Sequence, residues 1–260
     1  ADPSMPLMSW IAHVPMLISS NPQNALVIGF GSGLTMGTAT EVYGVKTDCV
    51  EISRSVIEVG EAFSAFNHDV LNSPLATIIV MDGRNFVDYT DKIYDIIIVD
   101  GGHPFINNCS SLFSKEFYLA CHKILKADGI MVQFAPRVLA SREDYEAMVQ
   151  TFAQVFKYSF TFPTLSDDFV FGTKKSFLID EKRVREKLLR NPVLQKDMAQ
   201  IDITNANGLV RFLNSFRMIE RKQAKNTRIL TDDMPFIEFT MTRYLRDKGK
   251  KDEPIHAVLR

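Results

Sequence analysis

The sequence has few cysteines and no long hydrophobic run. Its 260 residues include three cysteines, Cys49, Cys109 and Cys121, which are too few and too scattered for a disulfide framework or a zinc site. We therefore expect free thiols in a reducing compartment, the cytoplasm, and no bound metal. The aliphatic run at positions 96–99 has the length of a strand, and no run reaches the ~18–20 residues that a membrane-spanning helix needs.

The sequence also lacks an excess of charge of either sign. It has 30 Lys and Arg against 31 Asp and Glu, and its formal net charge is −1. A chain without an overall positive electrostatic field does not attract nucleic acid or an anionic membrane, so we expect neither as a partner. With 46% hydrophobic and 23% charged residues, the composition is that of a globular protein and excludes fibrous and disordered classes.

Short apolar runs alternate with helical stretches over the first two thirds of the chain. Strands are predicted at residues 25–29, 47–52, 76–81, 94–99 and 130–134, and helices at 34–43, 54–66, 115–125 and 142–156. Two closing strands, at 158–162 and 169–173, are close enough to form an antiparallel pair. The alternation predicts a Rossmann-like α/β fold with a mostly parallel, seven-stranded sheet.

The pattern changes after residue 174. Short helices are predicted at 180–190 and 192–200, followed by a longer helical stretch at 207–225. We assign residues 1–4 to a cloning remnant, 5–175 to the Rossmann-like nucleotide-binding domain, 176–245 to a helical appendage packed on it and 246–260 to a flexible tail.

The turn after the first predicted strand carries three glycines, Gly29, Gly31 and Gly33. Glycines at such a turn let the backbone approach a ligand, and the following helix offers free N–H groups at its N-terminus. Leu34 stands where the dinucleotide fingerprint would have a further glycine, which disfavours NAD. The same turn also occurs as a tight strand–helix connection that binds no ligand.

Each of the next three predicted strands ends in an acidic residue: Glu51, Asp82 and Asp100. The carboxyl ends of parallel strands share one edge of the sheet, so these side chains are expected to meet the glycine turn in one crevice. Glu51 follows the turn at the distance, about 20 residues, where a carboxylate can bind both ribose hydroxyls. The pattern favours adenosine without a pyrophosphate, as in S-adenosylmethionine.

Several segments between residues 9 and 244 match the motifs of one enzyme family. They are residues 13–15, 21–22, 27–33, 50–53, 82–85, 94–98, 111–118, 128–129 and 231–239. In these segments the sequence resembles the spermidine synthase-like (polyamine aminopropyltransferase) family, in particular its bacterial branch that is often fused to membrane domains.

The resemblance implies a site for S-adenosylmethionine or its decarboxylated form. Gly29, Gly31 and Ser32 would line the methionine-like part of the cofactor. Glu51 would bind the ribose, and Ile52 would pack on the adenine ring.

The next two strand ends complete the implied site. Asp82 and Gly83 would meet the adenine edge, and Asp100 aligns with the family's catalytic aspartate. A carboxylate there can accept the proton of a small-molecule amine while an aminopropyl group is transferred to it. The expected assembly is a homodimer.

The sequence departs from the family pattern around the amine. His103 stands where typical members have a second aspartate, and Ser32 stands where the glycine turn usually has one. His103 is either a second catalytic base or a loop residue with local hydrogen bonds. The pairs Asp167-Asp168 and Asp232-Asp233 either reach the amine or only form turns. Three functions stay open: aminopropyl transfer, methyl transfer by an S-adenosylmethionine-dependent methyltransferase, and a non-catalytic nucleotide-binding domain that lost the amine site.

Overall fold

An eight-stranded mixed sheet forms the centre of the protein. A computed structural model describes residues 8–106, 109–164, 167–222 and 227–249. The strands are β1 (Asn24–Ile28), β2 (Lys46–Glu51), β3 (Ala76–Val80), β4 (Tyr94–Val99), β5 (Leu125–Ala135), β6 (Tyr158–Pro163), β7 (Asp168–Thr173) and β8 (Arg217–Met218). Their order across the sheet is β3-β2-β1-β4-β5-β7-β6-β8.

Helices connect and cover these strands. They are α1 (Trp10–Ile18), α2 (Leu34–Gly37), α3 (Arg54–Gly60), α4 (Gly83–Tyr89), α5 (Lys115–Ile124), α6 (Arg142–Val155), α7 (Glu181–Leu189), α8 (Pro192–Gln200), α9 (Ala206–Leu213) and α10 (Ile237–Gly249). A π-helical turn, Thr38–Val42, continues α2. Within the described parts of the chain, every helix is too short or too polar to cross a membrane.

The register of the parallel strands brings their carboxyl ends to one edge. Ile28 of β1 lies opposite Val50 of β2 and Val99 of β4. Glu51 in turn lies opposite Val80 of β3. The residues that follow these positions therefore share one edge of the sheet. The strand β7 runs antiparallel to both of its neighbours, β5 and β6, so the two closing strands form the predicted antiparallel pair.

The predicted α/β class is confirmed, but the count of seven strands is wrong. The eighth strand, β8, pairs with β6 in the region where we predicted a helix over residues 207–225. That helix ends at Leu213. The next aromatic residue, Phe216, packs edge-on against Phe162 and Phe171 of the sheet, so tertiary packing overrides the helical pattern there.

Other helix boundaries also differ from the prediction. The helix over 34–43 changes to π-helical geometry at Thr38, and the helix over 54–66 ends at Gly60. None of α1, α4 and α10 was predicted. In α10 the helix continues to Gly249, beyond the start of the expected flexible tail at 246. The remaining tail, 250–260, and the suspected cloning remnant, 1–4, lie outside the described residues.

Two apolar layers enclose the sheet. One face packs against α1, the α2 turn, α3 and the appendage helices α7, α8 and α9. The other face packs against α4, α5 and α6, where Phe117 and Tyr118 are buried as core residues. A third cluster joins α10 to α6 and to Phe113, which is also buried. The appendage and the sheet therefore share one core.

The first helix, α1, is buried along its whole length. Its His13 ring lies 2.9 Å from the Tyr43 hydroxyl through Nδ1 and 2.9 Å from the Asp197 carboxylate through Nε2. Burial lowers the pKa of His13, and the Asp197 carboxylate opposes that effect. From α7, the Lys187 ammonium donates to the Met16 and Ser19 carbonyls at the end of α1. Appendage and first helix are thus joined by polar contacts as well as by packing.

Asn67 joins the glycine turn to the end of α3. Its side-chain amide donates to the carbonyls of Ser32 and Gly60, both at 3.0 Å. The Asn67 backbone carbonyl lies against Gly37, where an added Cβ would come within 2.0 Å of the oxygen. Only glycine permits that approach, so Gly37 sets how near Asn67 can come to the turn.

We expect Gly37→Ala to destabilise the protein by about 3 kcal/mol or more, because the new methyl group must displace backbone atoms. Urea unfolding measures the change. Gly208→Ala in α9 is the matched control, since its Cβ would meet the Ile203 side chain at 3.2 Å and no backbone atom. That variant should stay within about 1 kcal/mol of the parent. Equal effects of the two substitutions would contradict this account.

Candidate active site

A pocket of about 200 Å³ opens at the carboxyl edge of the sheet. The turn after β1, the ends of β2 and β3, and the loop after β4 form its walls. Its apolar side chains are Ile28, Val50, Ile52 and Leu112, and its carboxylates are Glu51 and Asp82. Gly29 and Gly83 also line it, so five of the eight predicted cofactor residues share this pocket. An apolar slot edged by carboxylates matches a flat base with a hydroxylated sugar.

The glycine turn lies unusually close to the end of β4. Gly29 has φ +94°, and an added Cβ would lie 2.6 Å from the Asp100 carbonyl oxygen and 2.9 Å from Cα of Gly101. The Asp100 amide donates to the Ile28 carbonyl at 2.9 Å, which joins the two strand ends. The turn and the predicted catalytic aspartate are therefore neighbours through their backbones. Ser32 lies farther along the turn, partly exposed, and Gly31 is exposed.

Glu51 holds the turn as well as facing the pocket. Its side chain is 8% exposed. Oε2 accepts from the Phe30 amide and Oε1 from the Ser53 amide, both at 2.9 Å. Each carboxylate oxygen can accept a second hydrogen bond, so ribose hydroxyls can still be bound. Ser53 is the N-cap residue of α3, but its side chain makes no capping hydrogen bond.

Asp82 occupies the N-cap of α4, where its carboxylate accepts from the Asn85 amide at 2.9 Å. Ile52, at the end of β2, is 68% exposed and free to pack on a ligand. Cys109 lies beside the same pocket. Burial raises the pKa of the Cys109 thiol, and the Asp82 and Glu238 carboxylates add to that effect. The pocket rim is thus acidic, with a neutral thiol.

Asp100 lies just beyond β4, on the other side of the turn from Ile52. Burial raises its pKa from 3.8 to about 6, and a hydrogen bond from Thr35 partly offsets that effect. The Thr35 hydroxyl donates to Oδ2 at 2.6 Å. A carboxylate with a pKa of about 6 is ionised at neutral pH and is a better proton acceptor than an exposed aspartate.

His103 lies in the same loop but makes aromatic contacts. Its ring stacks on Phe105 and meets Phe134 edge-on, both with centroids 5.2 Å apart. Burial lowers its pKa, and the Asp167 carboxylate opposes this effect, so the ring is neutral at pH 7. Its Nδ1 is buried without a hydrogen-bond partner among the described residues.

One aspartate of each acidic pair proposed for the amine accepts from an arginine side chain. Asp168 accepts from Arg137 at 3.0 Å and from the Tyr145 hydroxyl. Asp167 accepts from the backbone N–H of Arg137. Asp232 accepts two hydrogen bonds from the Arg84 guanidinium, at 2.9 Å on Oδ1 and 2.8 Å on Oδ2. Each pair is therefore partly neutralised by an arginine, which the sequence did not indicate.

Thr35, Asn67 and Leu112 belong to the site but were not identified from the sequence. Thr35 comes directly after the glycine turn, so its position was a usable signal. Asn67 lies in a loop far from the motifs, and no pattern marks it. Leu112 lies in the segment that carried the resemblance, but its role depends on how the loop folds back. No group of three or more His, Cys, Asp or Glu placed to hold a metal ion occurs within the described ranges.

Residues 6–183 match the sequence model of the spermine/spermidine synthase domain. The chain is 32% identical over 189 residues to a polyamine aminopropyltransferase of Methanocaldococcus jannaschii, covering 68% of this chain and 64% of that protein. It is 40% identical over 123 residues to a Clostridium perfringens protein of the same name, covering 47% and 43%. The chain thus spans less than two thirds of the curated relatives' own length.

Solved structures with the same fold include two classes of enzyme. A spermidine synthase in complex with the transition-state analogue AdoDATO aligns with TM-score 0.64 and 22% identity, over 81% of this chain and 75% of that one. Human methyltransferase-like protein 13 in complex with SAH aligns with TM-score 0.53 and 18% identity, over 84% and 91%. These likenesses show the Rossmann-like fold shared by both classes.

Two aspartates at opposite ends of β4 should affect stability in opposite directions. Burial raises the pKa of Asp100, so the protonated carboxyl contributes to the free energy of unfolding. That contribution is fully present below pH 3.8 and is lost as pH rises to about 6. We expect Asp100→Asn to gain stability over the parent between pH 4 and 7, by on the order of 2–3 kcal/mol. Urea unfolding at a series of pH values measures it.

Asp95 provides the control of opposite sign. Burial alone would raise its pKa, but the Lys126 ammonium and the amides of Asn24 and Gln23 hold it below 3.8. Asp95 therefore stabilises the protein above that pH, and the stabilisation is lost as pH falls through its lowered pKa. Asp95→Asn should be less stable than the parent at pH 7. A loss of stability in Asp100→Asn at pH 7 would contradict the assigned burial effect.

Proposed function

The chain belongs to the spermine/spermidine synthase family, and we propose that it transfers an aminopropyl group from decarboxylated S-adenosylmethionine to a small primary amine. The observation that carries the proposal is the meeting of the glycine turn, Glu51, Asp82 and Asp100 at one edge of the sheet. The curated relatives named polyamine aminopropyltransferase support the reaction type.

The pocket residues fit the adenosine half of this cofactor. The apolar side chains of Ile28, Val50 and Leu112 provide a dry surface for the adenine ring, and Ile52 is exposed to cover it. Glu51 has one hydrogen bond on each oxygen and can accept two more from ribose hydroxyls. We propose that Asp82 and Gly83 contact the adenine edge and that Gly29, Gly31 and Ser32 line the aminopropyl side.

Asp100 is the proposed base. When bound, the cofactor supplies an electrophilic carbon next to its sulfonium sulfur, and methylthioadenosine is the leaving group. An attacking amine has a pKa near ~10 and must lose a proton to expose its lone pair. Asp100, ionised above a pH of about 6, can orient the ammonium and accept that proton. His103, neutral among aromatic rings, is proposed as a wall of the amine site.

The acceptor is proposed to be an amine with little additional positive charge. A di- or trication is held best by several carboxylates. Here Asp100 has no arginine among the hydrogen-bonding partners described for it, whereas Asp168 and Asp232 each accept from an arginine side chain. We therefore expect putrescine to bind weakly. The homodimer and the cytoplasmic location stay predictions.

We expect Glu51→Ala to weaken binding of methylthioadenosine by tenfold or more, because a charge-assisted bidentate contact of about 1.5–3 kcal/mol is lost with the carboxylate. Calorimetric titration measures the affinity. Glu58→Ala is the matched control, since Glu58 is exposed on α3, next to the site but outside it. The adenosine assignment would be wrong if Glu51→Ala bound as tightly as the parent.

A direct comparison of two donors tests the reaction. Incubation of the protein with an amine and either decarboxylated or intact S-adenosylmethionine should release methylthioadenosine only from the decarboxylated form. Asp100→Asn should reduce that turnover by ~10²–10⁴ with little change in cofactor affinity, since the variant keeps the size but loses the charge.

The products distinguish the alternatives. Release of S-adenosylhomocysteine from the intact donor would identify a methyltransferase instead. Tight binding of both donors without any product would support a binding domain. Turnover of putrescine at a KM in the tens of micromolar would overturn the proposed acceptor class.

A further inference from the structure

We propose that Thr35 is a positioning residue that holds the Asp100 carboxylate in a fixed orientation and favours its ionised form beside the glycine turn. The inference rests on the proposed function for its catalytic consequence, but its physical basis is a contact within the protein. Thr35 is the second residue of α2, and its hydroxyl donates to Asp100 Oδ2 at 2.6 Å.

The contact is built into the packing of the turn. Thr35 is 3% exposed, so its hydroxyl has little access to water as an alternative partner. The backbone of Asp100 is held by its amide bond to Ile28 and by the close approach of Gly29. With the Asp100 backbone held and Thr35 fixed in α2, the hydrogen bond determines where the carboxylate points. A hydrogen bond that a buried hydroxyl donates to a carboxylate is charge-assisted, and therefore short and strong.

The same bond acts on the titration of Asp100. Burial raises the pKa of the carboxyl, and the Thr35 hydroxyl lowers it by stabilising the charged form. From β2, Cys49 lies close enough to sense the charges of Glu51 and Asp100. Burial raises the pKa of Cys49, so that thiol stays neutral over the working range. Gln133 of β5, opposite Val99 in the register, carries no charge.

Thr38 is a matched control one turn along the same helix. It is fully buried, as Thr35 nearly is, but its hydroxyl has no hydrogen-bond partner among the described residues. Thr35→Val and Thr38→Val make the same chemical change in the same helical segment. Thr35→Ser keeps the hydroxyl and removes only the methyl group.

The first measurement needs no catalysis. The carboxyl ¹³C resonance of Asp100, identified by its loss in Asp100→Asn, is titrated by NMR in the free protein. We expect a midpoint near 6 in the parent, in Thr35→Ser and in Thr38→Val. In Thr35→Val it should move up by about one pH unit, because the donor to the charged form is gone.

The second measurement is the pH profile of turnover. Thr35→Val should lose about tenfold in kcat at pH 5.5 and less than about twofold at pH 8.5, with the cofactor KM nearly unchanged. An Asp100 midpoint in Thr35→Val equal to the parent's, or an equal upward shift in Thr35→Ser or Thr38→Val, would overturn the proposal. If no variant and no parent shows turnover, the proposed function fails, while the NMR titration still decides the role of Thr35.

Discussion

The carboxyl ends of β1 and β4 approach each other so closely at Gly29 that a side chain on that residue would collide with the backbone of Asp100. This approach places the glycine turn directly beside a partly buried aspartate. Thr35 can reach that aspartate because α2 starts immediately after the turn. The geometry of the proposed base therefore depends on one position where a Cβ cannot be accommodated.

Glu51 serves structure and binding with the same two oxygens. By accepting from the amides of Phe30 and Ser53, it ties the glycine turn to the end of β2. A ligand that adds its hydroxyls to this carboxylate meets a group that is already oriented, which reduces the entropy lost on binding. The price is that substitutions at Glu51 disturb the turn as well as the ligand contact, so the exposed Glu58 is needed for comparison.

Strongly periodic elements and strand ends could be predicted from the sequence, and contacts between distant segments could not. The buried runs before Gly29 and Asp100 identified β1 and β4, and the helix predicted over 115–125 is α5, whose N-cap Ser114 accepts from the Phe117 amide. The strand β8 depends on the packing of Phe216, and the arginine partners of Asp168 and Asp232 lie 31 and 148 residues away. Such pairs leave no trace in local periodicity, because only the tertiary fold brings them together.

The contact between His13 and Asp197 joins residues 184 positions apart. Because α1 is buried partly by α7 and α9, and its terminal carbonyls are bound by Lys187, the helix reaches its final environment only after the last third of the chain is available. During synthesis on a ribosome, which proceeds from the N-terminus, the apolar surface of α1 therefore stays uncovered until residues near 184–213 have been made. Non-local closure of this kind slows folding.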